Sequence, residues 1–109
     1  MVAVIVHYEL APSFRPERVR SYFEQAIPKF RDMPGLIRKY FLLAEDGRAA
    51  GSVYLWETRP QAVAFHDESW KQFMREKYGH RPSIEIFECP IVVDNQSHEV
   101  IQPGSASLV

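Results

Sequence analysis

The chain has 109 residues, of which 46% are hydrophobic and 25% charged, and this is the composition of a single globular domain. A formal net charge of −1 offers no basic stripe, so we expect no nucleic-acid partner. The single cysteine excludes an intrachain disulfide, and no apolar run resembles a signal peptide or a membrane span. We therefore expect a cytoplasmic protein with no membrane partner.

The first half of the chain predicts a strand followed by a helix. In the strand from Ala3 to Leu10 apolar residues occupy both alternating faces, which indicates that both faces are covered. The helix is predicted from Pro16 to about Asp32, because proline suits a first turn. Pro28 removes one helical hydrogen bond, so we expect a kink or a break between Glu24 and Ile27.

A hairpin and a second helix come next. The segment LIRKYFLLA predicts a strand, the pair Asp46-Gly47 predicts a tight turn with positive φ at both residues, and residues 52–57 form the returning strand. Thr58 and Gln61 form a capping box that begins a helix, which is predicted to end at Gly79. The inward face of this helix is predicted to hold Ala62, Val63, His66, Ser69, Trp70, Phe73 and Met74.

The last strand is predicted over residues 83–93, which completes the order βαββαβ. We therefore predict an α+β, ferredoxin-like domain over residues 1–93, with a four-stranded antiparallel sheet and two helices on one face. Residues 94–109 are predicted to be a tail that is mobile or packs on a partner subunit. The second sheet face has no cover of its own, so we expect a homodimer that pairs sheet against sheet.

Three segments carry a resemblance to a known family: PGLIRKYFLL, AAGSVYLWET and the FHxxSWxxF pattern that begins at Phe65. Together they resemble the dimeric α/β-barrel superfamily, in particular its antibiotic-biosynthesis-monooxygenase-like group and, within it, a branch of small monooxygenase-like proteins. The resemblance lies on Pro34, Gly35, Leu36, Lys39, Gly51, Tyr54, Leu55, Trp56 and His66. It implies a cavity between sheet and helices in which a small phenol or quinol is oxidised without a metal or another cofactor.

His66 is the predicted catalytic residue. An imidazole on a buried helix face needs a partner or a cavity, and in a cavity it would accept the proton of the substrate. The alternative, a core histidine bonded to a carbonyl or a neighbouring side chain, is equally consistent with the sequence.

The other candidates are predicted to bind the substrate. Trp70 and Trp56 would form walls, Tyr40 or Tyr54 would donate a hydroxyl hydrogen bond, and His7 is a second polar candidate that could instead lie at a dimer interface.

Lys39 and Arg38 must point to opposite faces of their strand. Lys39 is predicted either to pair with Glu57, Glu85 or Glu88 or to hold an anionic group of the substrate.

The four histidines lack the spacing of a ligand pair, so no metal is expected. Two other functions remain open: a non-catalytic module that binds a small molecule or is associated with stress, and an isomerase or dehydratase in which His66 shuttles a proton.

Overall fold

The computed structural model of the protein describes residues 1–102. Its elements are β1 (Val2–Glu9), α1 (Pro16–Phe30), β2 (Leu36–Leu43), β3 (Ala49–Trp56), α2 (Arg59–Phe65), α3 (Glu68–Tyr78), β4 (Ser83–Glu88), β5 (Val92–Asp94) and β6 (Glu99–Ile101). Strands β1 to β4 form one antiparallel sheet in the order β2-β3-β1-β4, and β5 pairs with β6. The predicted α+β, ferredoxin-like fold is therefore confirmed.

The core lies on the helix side of the sheet. Along β1 the side chains of Val4, Val6 and Tyr8 are buried, whereas those of Ile5 and His7 on the opposite face are exposed. The sequence predicts these two sets of side chains but not which of them faces the core, and cover for the outer set stays a prediction. The helices close the core with Val19, Ala62, Trp70, Met74 and Tyr78.

Helix α1 continues past Pro28 to Phe30, so the predicted break is wrong. Pro28 and the residue one turn earlier, Glu24, are both exposed. The carbonyl that loses its helical hydrogen bond therefore faces water, which can take the place of the missing amide.

The hairpin between β2 and β3 also differs from the predicted tight turn. Gly47 has a φ of 72°, but Asp46 does not have a positive φ. The Ala44 N–H donates to the Ala49 carbonyl and the Gly47 N–H donates to the Ala44 carbonyl, both at 2.9 Å. The loop thus spans residues 44–48, with only its glycine in the left-handed region.

The helix predicted between Thr58 and Gly79 is two helices. The capping box of Thr58 with Gln61 and the left-handed Gly79 cap are confirmed. In between, His66 leaves the helical conformation, and the Asp67 carboxylate accepts the Trp70 N–H at 2.8 Å. Aspartate is a strong N-cap residue, and its cap begins a new helix inside the continuous apolar pattern.

The last predicted strand is also divided, because β4 ends at Glu88 and Pro90 has no N–H for a strand ladder. The hairpin of β5 and β6 spans residues 92–101 and so crosses the predicted boundary at residue 93. An ion pair between Arg38 and Asp94 ties this hairpin to β2. Packing of the tail on a partner stays a prediction, and residues 103–109 of that tail lie outside the described residues.

Between residues 1 and 102, no helix has the length and apolarity needed to cross a membrane.

A β-bulge at the start of β2 decides which side chains face the helices. Leu36 pairs with Trp56 and Lys39 pairs with Tyr54, so three steps along β2 match two along β3. One extra residue reverses the facing of every later side chain in the strand. As a result Lys39 lies on the helix side, and Tyr40 lies on the outer face, where it is 50% exposed.

Candidate functional site

A cavity of about 250 Å³ lies between the helix side of the sheet and helices α1 and α3. Eight of its fifteen lining residues are aromatic, and three are lysines: Lys29, Lys39 and Lys77. None of the described lining residues is acidic. A cavity of this composition suits a ligand that has an aromatic ring and a negative charge.

The amine of Lys39 is the most unusual group in this cavity. Its Nζ lies 3.4 Å from the ring centre of Phe30, 4.0 Å from that of Phe41 and 4.5 Å from that of Tyr54. It makes no salt bridge with any carboxylate of residues 1–102, so the predicted pairing with Glu57, Glu85 or Glu88 is wrong. The bulge in β2 explains the difference, because it turns this side chain towards the helices and their aromatic residues.

Burial lowers the pKa of Lys39 to about 6, and the positive charges of Lys29 and Lys77 act in the same direction. The three ring faces oppose this shift, since they attract an ammonium ion by on the order of 2 kcal/mol where water is excluded. Desolvation remains the larger effect. At neutral pH a substantial share of Lys39 is therefore a free amine, which is a base and a nucleophile.

Two tyrosine hydroxyls belong to the polar groups of the cavity: that of Tyr54 on β3 and that of Tyr8 on β1. Burial raises the pKa of the Tyr54 hydroxyl, although polar contacts with Ser52 and Trp70 partly oppose the change. Tyr54 therefore stays protonated and can donate a hydrogen bond to a ligand. Burial also raises the pKa of Tyr8, so a second protonated phenol lines the same space.

His66 lies in an aromatic cluster that adjoins the cavity but does not line it. Its side chain is 4% exposed, and its ring is 4.5 Å from the rings of both Tyr54 and Trp70, edge to face. The Trp56 indole N–H donates to His66 Nε2 at 3.2 Å, and His66 Nδ1 is buried with no hydrogen-bond partner among the described residues. Burial lowers the pKa of His66 to about 4, with smaller contributions from Lys39 and Lys71.

The structure divides the seven predicted site residues into three groups. Lys39, Tyr54 and Trp70 line the cavity. His66 and Trp56 lie together directly behind Tyr54 and Trp70.

Tyr40 and His7 are on the outer face of the sheet and do not line this cavity, so their part in substrate binding stays a prediction. The strand alternation explains the position of His7, and the bulge explains that of Tyr40.

Sequence reasoning missed six polar residues of the cavity: Tyr8, Gln25, Lys29, Ser52, Lys77 and Tyr78. The alternation along β1 places Tyr8 on the same face as Val4 and Val6, so the sequence contains a signal for that residue. Helix periodicity places Lys29 on the solvent side of α1, whereas in the structure its ammonium lies 5.6 Å from the Phe30 ring centre. A long lysine side chain can reach back over an apolar edge, and helix periodicity does not show this.

Comparison with solved structures identifies the fold. A cofactor-independent oxygenase from Streptomyces nogalater, SnoaB, superimposes with a TM-score of 0.62 at 13% identity, over 86% of this chain and 97% of that one. A predicted antibiotic biosynthesis monooxygenase from Deinococcus radiodurans gives 0.65 at 9% identity, over 86% and 97%. A protein of unknown function from Nitrosomonas europaea gives 0.63 at 15% identity, over 81% and 87%.

These similarities establish that the chain has the fold of the antibiotic-biosynthesis-monooxygenase-like proteins, and the resemblance noted in the sequence is confirmed at that level. No protein-family model matches the chain, and no curated protein matches it. At these low sequence identities the structural similarities show the fold alone, so an activity has to be inferred from the residues of this chain's own cavity.

Proposed function

We propose that the protein is a cofactor-independent monooxygenase that oxidises a small phenol or quinol in the cavity beside Lys39. The observation that carries this proposal is the position of the Lys39 amine, which is held among aromatic rings in a cavity whose described lining has no acidic residue; burial there lowers its pKa. The monooxygenase-like fold gives the reaction class its prior support.

Lys39 acts as the proton acceptor. A phenol in the cavity transfers its proton to the amine, and the resulting phenolate is stabilised by the new ammonium and by Lys29 and Lys77. The free energy of desolvation is smaller for an uncharged phenol and an uncharged amine than for two ions, and the ion pair forms only once the two groups are together. The Tyr54 hydroxyl donates a hydrogen bond to the developing oxyanion.

Dioxygen then receives one electron from the phenolate. The superoxide and the phenoxyl radical combine at a ring carbon that carries hydrogen, and the peroxide oxygen takes the proton back from Lys39. Loss of water from this hydroperoxide leaves a quinone. The substrate loses two hydrogen atoms and gains one oxygen atom, and the second oxygen atom leaves as water.

The volume of the cavity limits the substrate. A cavity of about 150 Å³ holds benzene, so 250 Å³ suits one substituted ring or two fused rings. Trp70 and Phe73 form the wall contributed by α3, with Met74 beside them. We therefore place hydroquinones and naphthols ahead of larger ring systems as substrates.

The assignment of His66 as the proton acceptor stays a prediction. The imidazole contacts Tyr54 and Trp70, which line the cavity, and a substrate would reach it only after the Trp70 side chain moved. The amine of Lys39 needs no such movement, because Lys39 lines the cavity, and for this reason we assign the first proton transfer to it.

Oxygen consumption with naphthohydroquinone tests the proposal in metal-free buffer. Lys39→Met should lower turnover by about 10²-fold or more, which is the usual contribution of a positioned base. Lys71→Met is the matched control, because Lys71 does not line the cavity and its Nζ lies 3.5 Å from Oε1 of Glu68. It should keep turnover within about twofold of the original chain.

Wild-type protein that consumes no oxygen with any phenol or hydroquinone would contradict the proposal. If those compounds still quenched tryptophan fluorescence, the alternative of a binding module would be favoured instead. Turnover that survived Lys39→Met but not His66→Gln would return the role of base to His66.

We also propose that the outer face of the sheet pairs with a second copy of the chain. This face exposes large apolar side chains of three strands to a similar degree: Ile5, Tyr40, Leu42 and Phe87. Burying such a patch against its own copy is the simplest closed arrangement. Leu42→Lys should give a monomer in sedimentation equilibrium, whereas Val63→Lys, on the equally exposed surface of α2, should not. A wild-type monomer at tens of micromolar would exclude this pairing.

A further inference from the structure

The surroundings of Lys39 meet two conditions that activate a lysine as a nucleophile. Its amine is removed from water by Phe30, Phe41 and Tyr54, and two other lysines line the same cavity. Desolvation and neighbouring positive charge both favour the free amine, whose lone pair attacks carbonyl carbon. The proton transfer proposed above uses that lone pair only as a base.

We propose that Lys39 also forms a reversible imine with an aromatic aldehyde or ketone that carries a carboxylate. This activity goes beyond the oxygenase reaction, and it needs neither dioxygen nor a phenol. The cavity is open to such a ligand because its described lining contains no acidic residue that would repel a carboxylate.

The reaction is a condensation that conserves all atoms. The Lys39 nitrogen forms a bond to the carbonyl carbon, and one proton of the amine passes to the carbonyl oxygen to give a carbinolamine. The Tyr54 ring lies beside the amine, with its centre 4.5 Å from Nζ, and its hydroxyl would donate a hydrogen bond to that oxygen. The carbinolamine then loses its hydroxyl group together with the second proton of the nitrogen as water, and a carbon–nitrogen double bond remains.

Charge determines the orientation of the ligand. Lys29 lies on α1 and Lys77 on α3, and both line the cavity into which Lys39 projects from the sheet. A carboxylate directed to Lys29 and Lys77 leaves the opposite end of a single ring pointing to Lys39. A para-substituted ring such as that of 4-carboxybenzaldehyde fits this arrangement and the volume of 250 Å³.

The chain provides its own internal standards, since it contains only four lysines: Lys29, Lys39, Lys71 and Lys77. Among the lysines, only Lys39 has its amine within 4.5 Å of three ring centres. Lys71 pairs with Glu68, and Lys29 is exposed. The same reagent meets all four lysines, so a preference for one of them measures the effect of its surroundings.

The full chain is incubated at pH 7 without oxygen with 4-carboxybenzaldehyde and cyanoborohydride, which reduces an imine to a stable secondary amine. Peptide mapping should show an adduct at Lys39, with at least tenfold more label there than on any other lysine; the α-amine of Met1, which also condenses with aldehydes, is measured on its own peptide. Lys39→Arg should lose this adduct, because a guanidinium does not form imines, while Lys71→Arg should keep it. The uncharged analogue 4-methylbenzaldehyde should label Lys39 at least fivefold less.

Equal labelling of all four lysines, or no label on Lys39, would overturn the inference. Circular dichroism of Lys39→Arg shows whether that variant is folded; if it is not, labelling of wild-type protein in urea replaces it as the reference, and the preference for Lys39 should disappear there. Since dioxygen is excluded, a positive result can stand with a failed oxygenase assay, and a negative result leaves the oxygenase proposal to its own test.

Discussion

Lys39 and His66 are two bases in one aromatic assembly, and Tyr54 touches both. The Lys39 side chain is half-buried, and that of His66 is buried. Burial lowers the pKa of each by removing the charged form from water. The two bases differ in their access to the cavity. The amine of Lys39 borders the cavity, whereas the imidazole of His66 is bonded to Trp56 and enclosed by rings.

A lowered pKa shows that a base is removed from water, but it does not show whether the base takes part in chemistry or only packs in the core. A catalytic base also needs an open cavity beside it, and of these two bases only Lys39 lines one. The largest expected difference between the two residues is therefore in turnover, and the smaller ones are in stability.

The pH dependence of turnover separates the two bases most strongly. Turnover needs the free amine, so kcat/KM for a hydroquinone should fall below pH 6 as Lys39 becomes protonated. His66→Gln keeps an acceptor for the Trp56 N–H and should preserve this acid limb, with a rate within about threefold of wild type. A limb that moved in His66→Gln, or one centred near pH 4, would assign the titration to His66 instead.

Acid should destabilise the protein through His66. Its folded pKa of about 4 lies below its ordinary value of 6.5, so between these two pH values the unfolded chain binds more protons. Stability should fall as the pH drops through this window, by about 3 kcal/mol in total. Urea unfolding at pH 7 and pH 4 measures the loss, which His66→Gln should remove. An equal loss in that variant would place the effect on other groups.

Lys39 should lower stability at neutral pH. Its folded pKa of about 6 lies below its ordinary value of 10.5, so stability should rise as the pH increases from 6 to 10.5. Lys39→Met removes the cost of burying the amine and should raise the free energy of unfolding at pH 7 by about 2 kcal/mol. Urea denaturation tests this, with Lys71→Met as the unchanged control. A destabilised Lys39→Met would show that the ring contacts outweigh desolvation.

The smallest expected effect comes from the bond between Trp56 and His66. Trp56→Phe removes the donor that favours the neutral imidazole, so the pKa of His66 should move upward towards its ordinary value. NMR titration of the imidazole carbon protons measures the change, and Trp70→Phe serves as a comparison because Trp70 does not donate to this imidazole among the described contacts. An unchanged pKa in Trp56→Phe would show that burial alone controls the imidazole.

The order of the elements up to β4, apart from the division of the second helix, and the two faces of β1 follow from periodicity, so both were predictable. The cap at Asp67 was not, since a continuous apolar pattern does not show where a side-chain carboxylate competes with the helix backbone. The cavity depends on a bulge that periodicity cannot place, and for that reason Tyr40 was assigned to it. Lys39 was a candidate, but its aromatic contacts come from α1 and β3, and only the fold brings these together.

The bulge in β2 also connects the composition of the two sides of the sheet. Removing the extra residue would leave Lys39 opposite Tyr54 and Tyr40 opposite Val53, whereas a regular strand of the same length would exchange Lys39 and Tyr40 between the two sides. A change of register would therefore alter the pocket and the outer face of the sheet in one step, and a deletion of the extra residue would preserve both.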